Sequence, residues 1–394
     1  MPPSTDTLLA RLLAGVEREL PRALELRHRL HAQPELAHAE GQTAASIAAE
    51  LPVNSTTVAG TGRTALIGSA ASPAVAVRAE LDGLPIRERT GAAFSARGET
   101  MHACGHDVHM AALVALARAA DGLADALPAP LLAVFQPSEE AYPSGAEELA
   151  RGELAGFALS AVVGAHVQPE LPWGAVGLDA GIVNASCDAI EIVIEGEPTH
   201  GAYPHRGRDP ILAMAEVVVA LHAQVSRRID PLHPVVLTIG QLQAGSAENV
   251  VPAQARARGA LRAYRPADRR ELGELVGEVV SGVAAANGCR GRVELISGEP
   301  ALANDAQIVA GARALLAEGG LRAAAEWRSC GSDDFAFFGE LAPLAMAFVG
   351  LDGAPGFQPR PLHHPELLVP DGAVRAVART QAVLFLAAAL RARS

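Results

Sequence analysis

Two kinds of apolar run lie in this chain, and their order constrains its fold more than any other feature. Residues 64–67, 74–78, 131–135 and 161–165 are short runs, apolar on both faces and separated by helical stretches, with alanine-rich 108–126 as a crossover helix. Strands buried on both faces belong to a mostly parallel sheet sandwiched between helices. Near residue 184 the texture changes. From Ala189 through Ile190, Glu191, Ile192, Val193 and Ile194 to Glu195 the polarity alternates, as in a sheet with one wet face. A helix over 209–226, strands near 235–242 and 256–264, a helix over 268–286 and a strand at 292–296 complete a β-α-β-β-α-β order, that of a ferredoxin-like unit. From about residue 298 the first texture returns, with a helix at 305–318, a strand at 344–349 and a closing helix at 371–392.

The expected fold is therefore α/β: a mostly parallel sheet flanked by helices, assembled from residues 1–183 and 298–394, with an α+β ferredoxin-like domain inserted over 184–297. A chain of 394 residues has room for both, since single cores stop growing at roughly 250–300 residues. Ahead of the sheet, Leu8, Leu9, Leu12, Leu13 and Val16 recur at helical spacing after capping-type residues 4–6. Pro21 is expected to start a second helix that stops before Pro34, and residues 42–51 to form a third.

Composition excludes several classes of partner. With 49% hydrophobic and 19% charged residues the chain can bury a core and is not disordered. Its 32 basic and 44 acidic residues give a formal charge of −12 with no basic block, which makes nucleic acid and anionic membranes poor partners. Apolar stretches such as 157–167 and 382–390 fall short of the roughly 18 residues of a spanning helix. Residues 8–16 are broken by Arg11 and lack a cleavage pattern, so a soluble cytoplasmic protein is expected. Four cysteines, Cys104, Cys187, Cys289 and Cys330, are too few and scattered for a disulfide framework. Ten of the 13 histidines instead fall into groups: His28, His31 and His38; His102, His106 and His109; His200 and His205; His363 and His364.

Four segments could carry chemistry. In Met101-His102-Ala103-Cys104-Gly105-His106-Asp107 a cysteine and a histidine two apart face the same side only if the segment loops, because on a helix they diverge. Its place before a helix favours a deprotonated thiol. Glu139 and Glu140 follow the buried run 131–135, His166 follows 161–165, and Glu80 and Asp82 follow 74–78. Taken singly these are a chance pair, an acidic turn, a core histidine and a strand end. All four, however, lie at carboxyl ends of strands, where open α/β sheets bind ligands. Cys104, His106, Glu140 and His166, with His363 as a fifth, exceed the needs of a four-coordinate structural zinc and suit two metal ions, leaving Glu139 as a carboxylate able to deprotonate water.

In this order and spacing the segments resemble the aminoacylase and carboxypeptidase-type di-metal hydrolases, in particular bacterial hippurate hydrolases, N-acyl-amino-acid amidohydrolases and plant auxin-conjugate amidohydrolases. The likeness runs from Arg27-His28-Arg29-Leu30-His31 through Gly331-Ser332-Asp333-Asp334-Phe335 to Leu362-His363-His364-Pro365. Cys104 marks this branch, since relatives outside it carry aspartate there. The resemblance implies Cys104, His106, Glu140, His166 and His363 as ligands of two divalent ions per subunit, Mn or Zn with Ni or Co also compatible, and Glu139 as general base. It implies that Asp82 and Asp107 orient liganding side chains. In the inserted lid and dimerisation domain it assigns His200 to the oxyanion and Asn249 and Arg262 to the substrate carboxylate, and it implies a homodimer formed through that domain.

The implied activity is hydrolysis of the amide of an N-acyl amino acid, of hippurate, N-acetyl or aryl-acyl type. The alternatives are a dipeptidase or carboxypeptidase of the same superfamily, or an amidase with Cys104 as nucleophile. Two departures stand out: Glu80 occupies a position that is usually aspartate, and Ala141-Tyr142-Pro143-Ser144 replaces glycines after the paired glutamates. His28, His31 and His38 are expected to be surface or packing residues.

Overall fold

A computed structural model describes residues 5–391; Ser4, one of the capping-type residues, and residue 392 of the closing helix lie outside the described residues. The first part of the chain forms α1 (Thr5–Ala32), α2 (Gly41–Glu50), β1 (Thr56–Val58), β2 (Gly62–Ile67), β3 (Ala74–Glu80), α3 (His106–Asp121), β4 (Leu131–Gln136), α4 (Gly145–Arg151), β5 (Leu159–Pro172) and β6 (Ala175–Gly177). After β7 (Gly181–Asn184) come β8 (Ser186–Glu195), β9 (Thr199–His200), α5 (Pro210–Arg228), β10 (Val235–Ala244), β11 (Val250–Val251), β12 (Gln254–Ala263), α6 (Pro266–Ala286) and β13 (Arg290–Ile296). The chain closes with β14 (Leu302–Asn304), α7 (Ala306–Leu315), β15 (Arg322–Ala323), β16 (Leu344–Asp352) and α8 (Gly372–Arg391).

These elements fall into two compact units: residues up to Gly181 with Ala303–Trp327 and Phe337 onward, and Ile182–Leu302 with Arg328–Ala336. The first is an α/β domain. Its eight-stranded sheet runs β1-β2-β4-β3-β5-β16-β6-β15. The central strands β4, β3, β5 and β16 are parallel, while β2 joins β4 and β6 joins β16 in antiparallel fashion. Residues 64–67 thus form an antiparallel strand where a parallel one was expected, because burial on both faces does not encode direction. Val75, Val77 and Ala79 of β3, with Leu131, Ala133, Phe135, Val163 and Val167, enter one core with α1, α3, α7 and α8. Alternation along the strand sends Arg78 and Glu80 to the other face, where both are buried.

Helix α1 does not restart at Pro21 but runs through it from Thr5 to Ala32. Leu8, Leu9, Leu12, Leu13, Val16, Leu20, Ala23, Leu26 and Leu30 are all buried along it, and this apolar stripe outweighs the hydrogen bond that proline removes. Helix α3 stops at Asp121, earlier than the expected 126, and residues 124–126 form a single 3₁₀ turn. Helix α8 is long and apolar enough to cross a membrane, but 83% of its most apolar window is buried in this unit's own core, which accounts for its composition.

The second unit is the β-rich insert. Its antiparallel sheet has the order β10-β12-β8-β13, so the first and third strands of the β-α-β-β-α-β run lie in the middle. Ile190, Ile192 and Ile194 of β8 pack with Ala213 and Val217 of α5 and Leu272, Leu275 and Val276 of α6. Arg256 and Arg258 stand on the exposed face, paired with Glu191. The alternating run is one strand with one wet face.

Candidate metal centre

Because β3, β4 and β5 are parallel, their carboxyl ends deliver Asp82, Glu139 with Glu140, and His166 to one edge of the sheet. His166 is not at the end of its strand, since β5 continues to Pro172. Pairing with β3 stops at Arg78 opposite Gly164, however, so His166 lies just past the last shared rung. Cys104 and His106 flank Gly105, whose φ of 86° turns the chain into α3. A Cβ on Gly105 would lie 2.6 Å from the Val167 side chain, so both the left-handed turn and the close approach require glycine.

The five expected donors converge. Ligand atoms of Cys104, His106 and His166 lie within 4.8 Å of one another, as do those of Cys104, Glu140 and His363, and those of His106, Glu139 and Glu140. Cys104 Sγ is 3.4 Å from His166 Nε2, His363 Nε2 is 3.1 Å from Glu140 Oε1, and His106 Nε2 is 3.7 Å from Glu139 Oε2. The His363 N–H donates to the Ala103 carbonyl at 2.8 Å, tying the last histidine to the first motif. His364 instead accepts the Glu366 N–H through Nδ1 at 3.1 Å.

Two of the three imidazoles are held by their other nitrogen. His106 Nδ1 donates to the Asp82 carbonyl at 2.8 Å and His166 Nδ1 to the Val167 carbonyl at 2.7 Å, which directs both Nε2 atoms into the cluster. His106 Nε2 is buried without a hydrogen-bond partner, and buried Glu140 Oε1 makes no hydrogen bond, its one close polar neighbour being His363 Nε2 of the same cluster. Unpartnered buried donors and acceptors are costly, and a divalent cation ligated by thiolate, imidazole and carboxylate would satisfy them. The residues therefore fit a dinuclear metal site.

The electrostatics favour a cation too. Burial opposes charge on His106, yet its hydrogen bond to Asp82 and the carboxylates of Glu80, Asp82 and Glu140 push its pKa up to about 10. Burial, reinforced by Glu140, Glu139 and Glu80, drives the Cys104 thiol well above its usual range. Without a cation, burial and the surrounding carboxylates thus outweigh the helix terminus that was expected to favour a deprotonated thiol, and a bound cation would reverse the balance.

Asp82 Oδ2 accepts the Glu140 N–H at 2.8 Å. Asp107 Oδ2 accepts from Arg27 Nε at 2.9 Å and His31 Nδ1 at 3.0 Å, which ties this carboxylate to helix α1. His31 is correspondingly no bystander: burial opposes its charge, but Asp107 and Glu88 raise its pKa to about 9. His38 was expected to be only a surface or packing residue, and Glu40 carried no signal in the sequence. His38 Nδ1 lies 3.0 Å from Ser138 Oγ, and buried Glu40 accepts the Ser138 N–H at 2.8 Å, bracing the residue before Glu139.

His200, Asn249 and Arg262 belong to the second unit. His200 pairs with Val250, and the Gly201 N–H donates to the Asn249 carbonyl at 2.7 Å, so the first two lie exposed at one end of the antiparallel β9–β11 pair. Arg262 on β12 donates through Nη1 to the Cys330 carbonyl at 3.0 Å and to Ser332 Oγ at 3.4 Å.

Comparison with known proteins matches residues 76–385 to the profile of Peptidase family M20/M25/M40. The N-acetyl-L-cysteine deacetylase of Bacillus subtilis is 34% identical over 92% of this chain and 86% of its own. The N-acetyldiaminopimelate deacetylase of Bacillus licheniformis is 32% identical over 81% of this chain and 84% of its own. Among solved structures, the YXEP protein of Bacillus subtilis, described as a dinuclear metal binding peptidase of the M20 family, superposes with a TM-score of 0.82 at 29% identity over 94% of this chain and 98% of its own.

Proposed function

The chain belongs to peptidase family M20/M25/M40 and is a metal-dependent hydrolase of it, and from that premise we propose that it hydrolyses the amide bond of N-acyl amino acids, with N-acetyl substrates foremost. The observation that carries this reading is the convergence of five donor side chains, two with buried atoms that make no hydrogen bond, on a cluster that also takes in the carboxylate of Glu139. Two relatives named as deacetylases of N-acetylated amino acids favour the substrate class.

Cys104, His106, Glu140, His166 and His363 would hold two divalent ions, Mn or Zn, with Ni and Co compatible with the same donors. When bound, such ions supply Lewis acidity at the amide carbonyl and acidify a water. Glu139, 3.7 Å from His106, takes the proton of the attacking water and returns it to the departing nitrogen, releasing an amino acid and a carboxylic acid. Asp82 holds the backbone of Glu140 and the ring of His106 in place. We assign His200 to the oxyanion and Asn249 and Arg262 to the α-carboxylate, for which a guanidinium is suited. The same reading makes the insert a ferredoxin-like lid, through which the protein forms a cytoplasmic homodimer.

A cysteine-nucleophile amidase has one observation in its favour, the 3.4 Å approach of Cys104 Sγ to His166 Nε2. Burial and the adjacent carboxylates raise the thiol, while burial holds the His166 imidazole well below its usual range. Both shifts oppose the thiolate and imidazolium that such a pair needs. The deciding experiment is a turnover screen of Mn- and Zn-loaded protein against N-acetyl, benzoyl and indole-acetyl amino acids and small dipeptides, reading released amine. Release from the N-acyl members is expected; cleavage of dipeptides alone would move the assignment to a dipeptidase, and no release from any member would overturn it.

A further inference from the structure

His109 has no part in the chemistry assigned above, yet it is fully buried one turn into α3 from His106. Both of its ring nitrogens are engaged. Nδ1 lies 2.9 Å from Glu80 Oε2, and Nε2 accepts the N–H of Val167 at 3.0 Å. A nitrogen that accepts carries no proton, so the ring is neutral with its proton on Nδ1, donated to Glu80. Glu80 in turn pairs with Arg78, whose Nε donates to Gln136 Oε1 at 2.7 Å.

The need for this arrangement follows from the sheet. The Val162 N–H donates to the Pro343 carbonyl beside β16, so alternation turns the peptide groups of Val167 toward β3. Pairing with β3 ends at Gly164, leaving Val167 buried without a strand partner on that side. Two imidazoles replace the strand: His109 takes the N–H of Val167, and His166 Nδ1 donates to its carbonyl at 2.7 Å. The His109 and His166 rings meet edge-on with centroids 4.5 Å apart, and the Val167 side chain presses on Gly105 between Cys104 and His106. Glu80, His109 and His166 have the proximity of a cation site of their own, but both nitrogens of His109 and Nδ1 of His166 are already committed.

We propose that His109, anchored by Glu80, is a positioning residue of the metal centre: by holding the Val167 peptide it fixes the ring orientation and tautomer of His166, leaving Nε2 of His166 to the ion. This rests on the metal-centre reading above.

The test measures Zn(II) affinity of the full chain by competition with a chromophoric chelator and records the visible spectrum of the Co(II)-loaded protein. A wild type that binds no ion would overturn the metal reading itself. Given a binding wild type, His109→Leu should lose about 10–100-fold in affinity for at least one ion and shift the Co(II) bands, as expected when a partner of a liganding histidine is removed. His109→Gln, whose amide can accept from Val167 and donate to Glu80, should recover most of that affinity. Unchanged affinity and spectrum in His109→Leu overturn the proposal. If that variant does not fold, histidine-selective ¹⁵N NMR of the wild type decides: a bare Nε2 and protonated Nδ1 on His109 support it, and a proton on Nε2 overturns it.

Discussion

The carboxylate of Asp82 accepts the backbone N–H of Glu140 at 2.8 Å. The carbonyl of the same residue receives Nδ1 of His106 at 2.8 Å, so one residue after β3 braces the loop after β4 and the first residue of α3. Burial opposes its charge, but His106 and the backbone N–H groups of Glu140 and Glu139 keep the carboxyl below its ordinary range. Asp82→Ala should therefore reduce Zn(II) affinity by about 10–100-fold with the fold retained by circular dichroism. Wild-type affinity in this variant would remove Asp82 from the site.

Glu139 and Glu140 are adjacent in sequence and differ in expected duty. Glu139→Gln should keep two bound ions by elemental analysis while turnover falls by about 10²–10⁴-fold, the range of a lost general base. Turnover within error of the wild type would count against Glu139 as the base.

Chelation separates the metal reading from the thiol reading. EDTA should abolish turnover and added Mn(II) or Zn(II) restore it. Cys104→Asp, which supplies a carboxylate ligand in place of the thiolate, should turn over at least about tenfold faster than Cys104→Ala, because carboxylates ligate the same ions. A nucleophilic cysteine predicts the opposite: survival in EDTA and equal loss in both variants.

His31 predicts a stability profile. Its folded pKa of about 9 lies above the ordinary 6.5, so the protonated ring stabilises the fold fully below pH 6.5, and that contribution is lost as pH rises through 9. The shift corresponds to about 3 kcal/mol as an upper bound. Urea midpoints of the metal-free protein should fall between pH 6 and pH 9.5 more steeply for the wild type than for His31→Gln. Parallel profiles would show that His31 is not the titrating group.

The donors were legible because residue type and place in the pattern coincided: a thiol, imidazoles and carboxylates just past apolar strands have few uses other than ligation. The insert was legible because a strand with one wet face alternates, as Ile190, Ile192 and Ile194 do against Glu191 and Glu195. Strand direction was not, since a short, largely buried run such as residues 64–67 carries no mark of direction. Proline at position 21 pointed to a helix start that a buried leucine stripe overrides.

By itself, then, the sequence determined which side chains could do chemistry and in which textures of chain they sit, since periodicity and ligand type are local properties. Tertiary structure alone decided what those side chains do with their remaining atoms. Arg27 and His31 reach Asp107 across 80 and 76 positions, Glu80 reaches His109 across 29, and His109 reaches Val167 across 58. Whether a buried carboxylate orients a ligand or serves a distant helix depends on which donor arrives beside it, and only the packed fold brings that donor there.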